Sequence, residues 1–269
     1  MPHCELKVME KFNGDYSHAD HTSTAHEAYT PSRELTTLLS LMALTNQPTT
    51  ATDIPPRRFL LQEHYPPPFH TNPLDIESAR EGWVFLACPG SPEKCPHCKR
   101  HPAHTSCIVI AIDGACQNNG STQGTARAAF AAYFGKGNEL NTARLVGADQ
   151  RQTSQVAELA GAIEALRIVA GLPEEQKPDG KLYTVTLKSD SAYVVQGVTE
   201  YLAKWKRNGW RNAQGKAVAN IKLWKELEGL VERVEENGVG VWFWLVPREL
   251  NPVADAAAKW ALRPGNSLP

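Results

Sequence analysis

Four acidic residues stand where a carboxylate is costly unless something compensates it. Asp113 closes the apolar run "IVIAID", Glu158 lies one position off the apolar stripe of a helical pattern, Asp190 closes "LYTVTLKSD", and Asp255 falls in the first turn of "NPVADAAAKWAL". Burying an unpaired carboxylate costs several kcal/mol or forces it to keep its proton. Hard divalent cations such as Mg²⁺ take oxygen ligands, so carboxylates converging from strand ends would be compensated by binding them. Two such ions about 4 Å apart stabilise both the attacking and the leaving oxygen of an in-line displacement at phosphorus. The chemistry expected of the set is therefore phosphodiester hydrolysis, with Asp113, Glu158, Asp190 and Asp255 as catalytic and metal-binding residues and Mg²⁺, or Mn²⁺ in its place, as the cofactor. Taken singly, three of them have plainer explanations. Glu158 reads as a solvated helix carboxylate, Asp190 as a cap for the next helix, and Asp255 as a dipole-favoured charge worth a few tenths of a kcal/mol. Asp113 resists this, because it interrupts a strand that reads as buried on both faces.

The elements that must position these groups are regular from Cys107 onward. "CIVIAID", "ARAAFAAYFG" and "NTARLVG" read as three strands, with "GKGNE" as the turn between the last two. "TSQVAELAGAIEALRIVAG" reads as a helix with Val156, Leu159, Ala160, Ile163 and Leu166 on its apolar stripe, Thr153 or Ser154 as cap and Gly171 as stop. A fourth strand in "LYTVTLKSD" is followed by a short helix, "SAYVVQGV". The long amphipathic helix "NIKLWKELEGLVERVEENG", with Trp224 facing the core, precedes a fifth strand, "VGVWFWLVP", and the last helix. Strands grouped first and helices interleaved later imply an α/β fold in which helices pack on a five-stranded mixed sheet.

A second chemical signal lies between Glu200 and Glu226. No acidic residue occurs there, and Lys204, Lys206, Arg207, Arg211, Lys216, Lys222 and Lys225 alternate with Trp205 and Trp210. Cations meet phosphates and aromatic rings meet sugars or bases, so the segment reads as a nucleic-acid surface. The competing reading is a solvated basic face whose tryptophans pack inward.

With these pieces in place, the region from about 106 to 264 resembles ribonuclease HI. The resemblance is carried by "IDGACQNNG", "TSQVAELAGAIEAL", "LKSDSAYVVQGV", "WKRNGWRNAQGKAVANIKLWKELEGLV" and "NPVADAAAKWA", in family order and at family spacing. It implies an RNase H-like fold and endonucleolytic cleavage of the RNA strand of RNA/DNA hybrids, leaving 5'-phosphate and 3'-hydroxyl ends. Carried over residue by residue, Asp113 bridges two metal ions, Asp255 holds the ion that activates water, and Glu158 and Asp190 hold the ion at the leaving 3' oxygen. Asn119, Ser154 and Gln155 fall where the family contacts both strands across the minor groove, where the 2'-hydroxyl separates RNA from DNA. Thr153 falls where the family binds a DNA phosphate. Lys204, Trp205, Lys206, Arg207, Trp210 and Arg211 fall in the basic protrusion that grips the DNA strand.

Two departures from the family pattern stand out. Ser154 and Gln155 replace the two asparagines that often follow the threonine, although both still donate and accept hydrogen bonds. Many family members carry a mobile histidine in a glycine-rich loop before the last aspartate. Here "VPRELNPVAD" is shorter, puts Arg248 or Glu249 at roughly that place, and no histidine follows His104. Slower turnover is the expectation. Asn251 matches a family asparagine and is expected to cap the helix ahead of Pro252. Two alternatives remain: a nuclease of the same superfold acting on DNA or structured RNA, against which the basic segment speaks, and a binding protein without catalysis, against which the four carboxylates speak.

The first hundred residues read differently. All nine histidines lie at or before His104, and the Pro- and Thr-rich stretches "NQPTTATDIPPRR" and "HYPPPFHTNP" read as loops. One amphipathic helix in "PSRELTTLLSLMALT" behind Ser32 and one strand in "GWVFLAC" do not make a domain. We therefore expect a mostly irregular, loop-rich N-terminal extension over 1–105, a catalytic domain over 106–264 and a tail over 265–269. Cys88, Cys95, Cys98 and Cys107 crowd together with His97, His101 and His104, and the C-x-x-C pair is a familiar zinc element. A structural Zn²⁺ competes there with free thiols. Charge gives no global sign of a polyanion partner: Lys and Arg number 9 against 12 acidic residues up to 105, and 19 against 17 beyond it. No basic opening leads into an apolar core and no apolar run reaches the ~18 residues of a membrane helix. The expectation is an intracellular, unsecreted monomer with no membrane contact.

Overall fold

The computed structural model describes residues 57–65, 73–91, 93–96, 101–120 and 124–266. The helix expected behind Ser32 lies outside them, as do Cys98 and His97. Seven strands form one sheet: β1 (Glu77–Arg80), β2 (Trp83–Ala87), β3 (Ala103–Gln117), β4 (Arg127–Tyr133), β5 (Thr142–Leu145), β6 (Thr184–Ser189) and β7 (Gly240–Leu245). After a single helical turn at Leu61–His64, the helices are α1 (Ser154–Gly171), α2 (Ala192–Gln196), α3 (Leu202–Arg207), α4 (Ile221–Glu236) and α5 (Pro252–Ala261).

The five expected strands make the centre, in the order β5-β4-β3-β6-β7. β3, β4 and β5 run as an antiparallel meander, while β6 lies parallel to β3 and β7 parallel to β6. Parallel neighbours need a crossover, and the α1 and α2–α4 segments supply it. Ile108, Ile110 and Ile112 of β3 enter the main core with Leu159, Ile163 and Leu166 of α1, and Val109 and Ala111 enter the cores on the opposite face. Thus β3 is buried on both faces, as its unbroken apolar run requires. α1 is more buried than a single stripe predicts, because it packs between the sheet and α4; Ala157, Gly161, Ala162 and Ala165 are also covered.

The boundary expected at residue 105 does not coincide with a break in packing, and the sheet gains two strands. β2 pairs with the first half of β3, ahead of the part that pairs with β4, and β1 pairs with β2. Arg57 and Phe59 also bond to Phe243, alongside β7. Phe59, Tyr65, Ile76, Leu86 and Ala87 join Val109, Trp244 and Val246 in a separate core cluster. Composition hid this because the anchoring residues are few and spaced widely among polar ones. The expected strand in "GWVFLAC" is β2.

The helix expected in "SAYVVQGV" is also longer than its sequence pattern. It continues from α2 through a wide π-type turn, Gly197–Tyr201, into α3. A Cβ at Gly197 would overlap the Trp224 ring, so glycine lets this turn lie flat on α4.

Candidate active site

The four acidic residues come from separate elements and meet at one end of the sheet. Asp113 lies late in β3, Asp190 directly follows β6, Glu158 is in the second turn of α1 and Asp255 near the start of α5. Gly114 makes the approach of α1 feasible: a Cβ there would overlap the backbone of Ala157 and Glu158. The Gly114 amide in turn hydrogen-bonds Glu158. Asn251 braces the other side, its Nδ2 donating to the Ile112 carbonyl at 2.9 Å and to Asp190 Oδ1 at 3.3 Å. Its side chain makes no cap bond to α5, contrary to expectation: Nδ2 is held by β3 and Asp190, and Oδ1, the atom that would accept from the helix amides, does not reach them.

The electrostatics follow from burial and mutual repulsion. Asp113 is 3% exposed, and burial, then the charge of Asp190 and a hydrogen bond with it, push its carboxyl up to about 8. Burial, then the charges of Asp113 and Asp190, push Glu158 up to about 9. Glu158 Oε2 and Asn251 Oδ1 are enclosed and have no hydrogen-bond partner among the described residues. Asp255 differs. Burial pushes it up, but hydrogen bonds from Lys259, at 2.7 Å, and from Arg248 outweigh that and hold it below the usual carboxylate range.

An enclosed carboxylate oxygen without a donor, surrounded by carboxyls that repel one another, is the donor set of a hard divalent cation. The residues present therefore fit such an ion. Among the described residues, no group of three or more His, Cys, Asp or Glu side chains is gathered closely enough to hold a metal as it stands. At the acidic end, Asp255 is occupied by Arg248 and Lys259, two cations that sequence reasoning did not assign to it. The i to i+4 spacing of Asp255 and Lys259 was the available signal.

Comparison with known proteins gives the family. A model of the RNase H family matches residues 105–242. The ribonuclease H of Dichelobacter nodosus is 33% identical over 161 residues, covering 60% of this chain and 93% of that one. The ribonuclease H of Nitrosococcus oceani is 34% identical over 166 residues, covering 60% and 97%. Ribonuclease H1 of Rattus norvegicus is 34% identical over 129 residues, covering 48% and 41%. The chain belongs to the ribonuclease H family. It is a nuclease of that class, whose activity depends in general on divalent metal ions.

The other residues that the sequence offered for binding fall in two places. Asn119, in the turn after β3, donates from Nδ2 to Ser154 Oγ at 3.2 Å. Thr153 is the cap of α1, its Oγ1 accepting from the Val156 amide, while Gln155 is exposed beside it. All four therefore border the N-terminus of α1, which also carries Glu158.

The basic segment forms α3 and a loop built by its own side chains. The Asn208 side chain donates from Nδ2 to the Arg211 carbonyl and accepts at Oδ1 from the Arg211 amide, and Asn212 Oδ1 accepts from the Gln214 and Lys216 amides. Lys204, Arg207 and Arg211 are exposed. Trp205 and Trp210 are half-buried and pack on the main core, Trp205 against Trp224 at 5.3 Å between ring centroids. Lys206 is bound to Glu228 and Glu232 of α4, at 2.5 and 3.3 Å. A gap in acidic residues along the chain does not ensure one in space.

Cys88 and Cys107 are free thiols, and burial pushes Cys107 up, with the nearby Cys88 adding to the shift. Cys95 is half-buried in the following loop. No helix among the described residues is long and apolar enough to cross a membrane.

Proposed function

We propose that the protein hydrolyses the RNA strand of RNA/DNA hybrids at the acidic cluster, leaving 5'-phosphate and 3'-hydroxyl ends. Asp113, Glu158, Asp190 and Asp255 would hold two divalent cations there, Mg²⁺ or Mn²⁺. The observation that carries this reading is the convergence of Asp190, Asp255 and Glu158 on Asp113, with an enclosed Glu158 oxygen that has no hydrogen-bond donor among the described residues. When bound, such cations neutralise charge on the attacking and leaving oxygens of phosphoryl transfer. Asp113 interacts with all three other carboxyls, which suits a shared ligand. Asn251 fixes Asp190, and the Gly114 amide fixes Glu158, so neither ligand needs to reorganise much. Asp255 must release Arg248 and Lys259 before it can act as a ligand.

Recognition falls to the residues that flank the cluster. Asn119, Ser154 and Gln155 offer amide and hydroxyl groups to the minor groove, and Thr153 adds the α1 N-terminus for a phosphate. Lys204, Arg207 and Arg211, with the outer edges of Trp205 and Trp210, form the surface for the DNA strand. Lys206 would join them on leaving Glu228 and Glu232. The described exposed large apolar side chains, Leu60, Leu145, Tyr183 and Tyr201, come from four separate segments, in keeping with a monomer. We take residues 57–266 as the catalytic unit, with a zinc ion at Cys88, Cys95, Cys98 and Cys107 as a separate assignment that elemental analysis of purified protein decides.

The test is incubation with labelled RNA/DNA hybrid, duplex RNA and duplex DNA, with and without Mg²⁺, beside an Asp190→Asn variant. Metal-dependent cleavage of the hybrid's RNA strand alone, lost in the variant, is expected. Undiminished cleavage by Asp190→Asn, or equal cleavage of the duplexes, contradicts the proposal.

A further inference from the structure

Beside the acidic cluster lies a cavity of about 570 Å³ between the second half of β3 and the end of α5. Gly114 and Gln117 stand on one side, and Arg248, Lys259 and Arg263 on the other; no acidic residue lines it. Gly114 directly follows Asp113, so the cavity opens where the acidic cluster ends. Three cations from the loop before α5, α5 itself and the turn after it thus surround one space. Arg248 and Lys259 are 66% and 56% exposed, and both bond to the 17%-exposed Asp255. Arg263 makes no ion pair among the described residues. The described ion-pairing leaves two of the three cations spoken for by the carboxylate that the reading above assigns to a divalent ion.

We propose that this cavity is a phosphate-binding groove for the strand being cut, and that Asp255 gates it by holding Arg248 and Lys259 until a divalent ion takes their place. The proposal rests on the reading of the acidic cluster as a cation site. A phosphate at Asp113 has its neighbours along the strand at the mouth of the groove, where Arg263 can meet them at once. When Asp255 accepts a cation, Arg248 and Lys259 lose their partner while remaining in the groove wall. They then turn to the phosphates, so metal loading and grip on the cut strand rise together. A free anion or small phosphate ester would gain little here, because the three cations line one open space and suit several successive charges.

The prediction can be read without catalysis. Binding of a labelled RNA/DNA hybrid in EDTA is followed by fluorescence anisotropy over a salt series, with melting curves for each variant. Arg263→Ala should weaken binding several-fold and make the slope of log K against log[salt] shallower by about 1, the expectation for one lost phosphate contact. Arg263→Lys should keep most of the affinity. Asp255→Asn, which frees two cations without any metal, should bind several-fold more tightly with a steeper slope, and adding Arg248→Ala should reverse the gain. Unchanged affinity and slope in Arg263→Ala overturn the groove, and an Asp255→Asn variant that binds no tighter overturns the gate. If the wild-type protein instead prefers duplex DNA to the hybrid, hybrid specificity fails, while the same variants measured on DNA still decide the groove.

Discussion

Two charged side chains on neighbouring central strands meet burial in opposite ways. Lys188 of β6 is 7% exposed, and its Nζ lies 2.7 and 2.9 Å from the two carboxylate oxygens of Glu77 on β1. Asp113 of β3 is 3% exposed, and the carboxyls of Asp190, Asp255 and Glu158 crowd it, with Arg248 as the opposing charge. The strands are in register at Ala111 and Lys188, so the two sites are only a few residues apart. One is an ion pair the fold completes by itself; the other is left incomplete. A buried charge with a built-in partner serves the structure, whereas one opposed by like charges needs a ligand from outside.

The largest expected effect separates these roles at Asp113. Asp113→Asn should lower hybrid cleavage by roughly 10³-fold or more, as loss of a central catalytic group does. It should also stabilise the metal-free protein at alkaline pH. Burial and Asp190 raise the folded-state value to about 8 from an ordinary 3.8, so the folded protein retains a proton that the unfolded chain releases. The stability this group contributes is fully present below about pH 4 and is lost as pH rises to about 8. Asparagine removes that loss. Urea unfolding in EDTA at pH 5 and pH 9 measures it, and a variant less stable than wild type at pH 9 would contradict the assignment of strain to this carboxyl.

The next effect lies at the completed pair. Glu77→Leu strands the Lys188 ammonium and should cost about 3–5 kcal/mol, whereas Glu77→Leu with Lys188→Met should recover most of it, since a well-packed apolar pair replaces a buried ion pair at little cost. Cleavage at a permissive temperature should persist in the double variant. Equal destabilisation of single and double variants would show that the ion pair matters for more than charge balance.

How much of this was legible in the sequence follows the same division. Asp113 announced itself because it broke an apolar run, whereas the other three carboxylates had plainer readings singly and were joined to it only as a set and through the resemblance to ribonuclease HI. The five central strands and the long helices were legible because their periods are regular over many residues. Glu77, by contrast, sits in a four-residue strand with no apolar alternation, and its partner is 111 residues away. Long-range pairing of that kind leaves no local signal. The ion pairs of Lys206 were hidden for the same reason: Glu228 and Glu232 face it across a helix contact rather than along the chain. Arg248 was noticed as a replacement for a histidine, but its bond to Asp255 depends on how the short loop folds.

A smaller effect tests whether outside ions complete the acidic site. Ligand carboxylates must lose their protons to bind metal, so the rise in melting temperature on adding Mg²⁺ should grow between about pH 6 and pH 9. The raised values of Asp113 and Glu158, about 8 and about 9, set that window. Glu158→Gln should flatten the dependence. A Mg²⁺ shift that is independent of pH would place the ion elsewhere.

The smallest effect applies the comparison to a single hydroxyl. Thr153 Oγ1 already accepts from the Val156 amide at 3.3 Å, so it is satisfied by the fold, yet it also stands at the helix N-terminus proposed to take a DNA phosphate. The two roles separate by substitution, because aspartate caps a helix as well as threonine but repels a phosphate. Thr153→Ala should cost about 1 kcal/mol of stability and weaken hybrid binding modestly. Thr153→Asp should keep stability within about 0.5 kcal/mol of wild type while weakening hybrid binding more than alanine does, most visibly at low salt. If Thr153→Asp binds the hybrid as well as wild type, the hydroxyl serves the helix alone, and the phosphate contact must be made by the neighbouring Ser154 or Gln155.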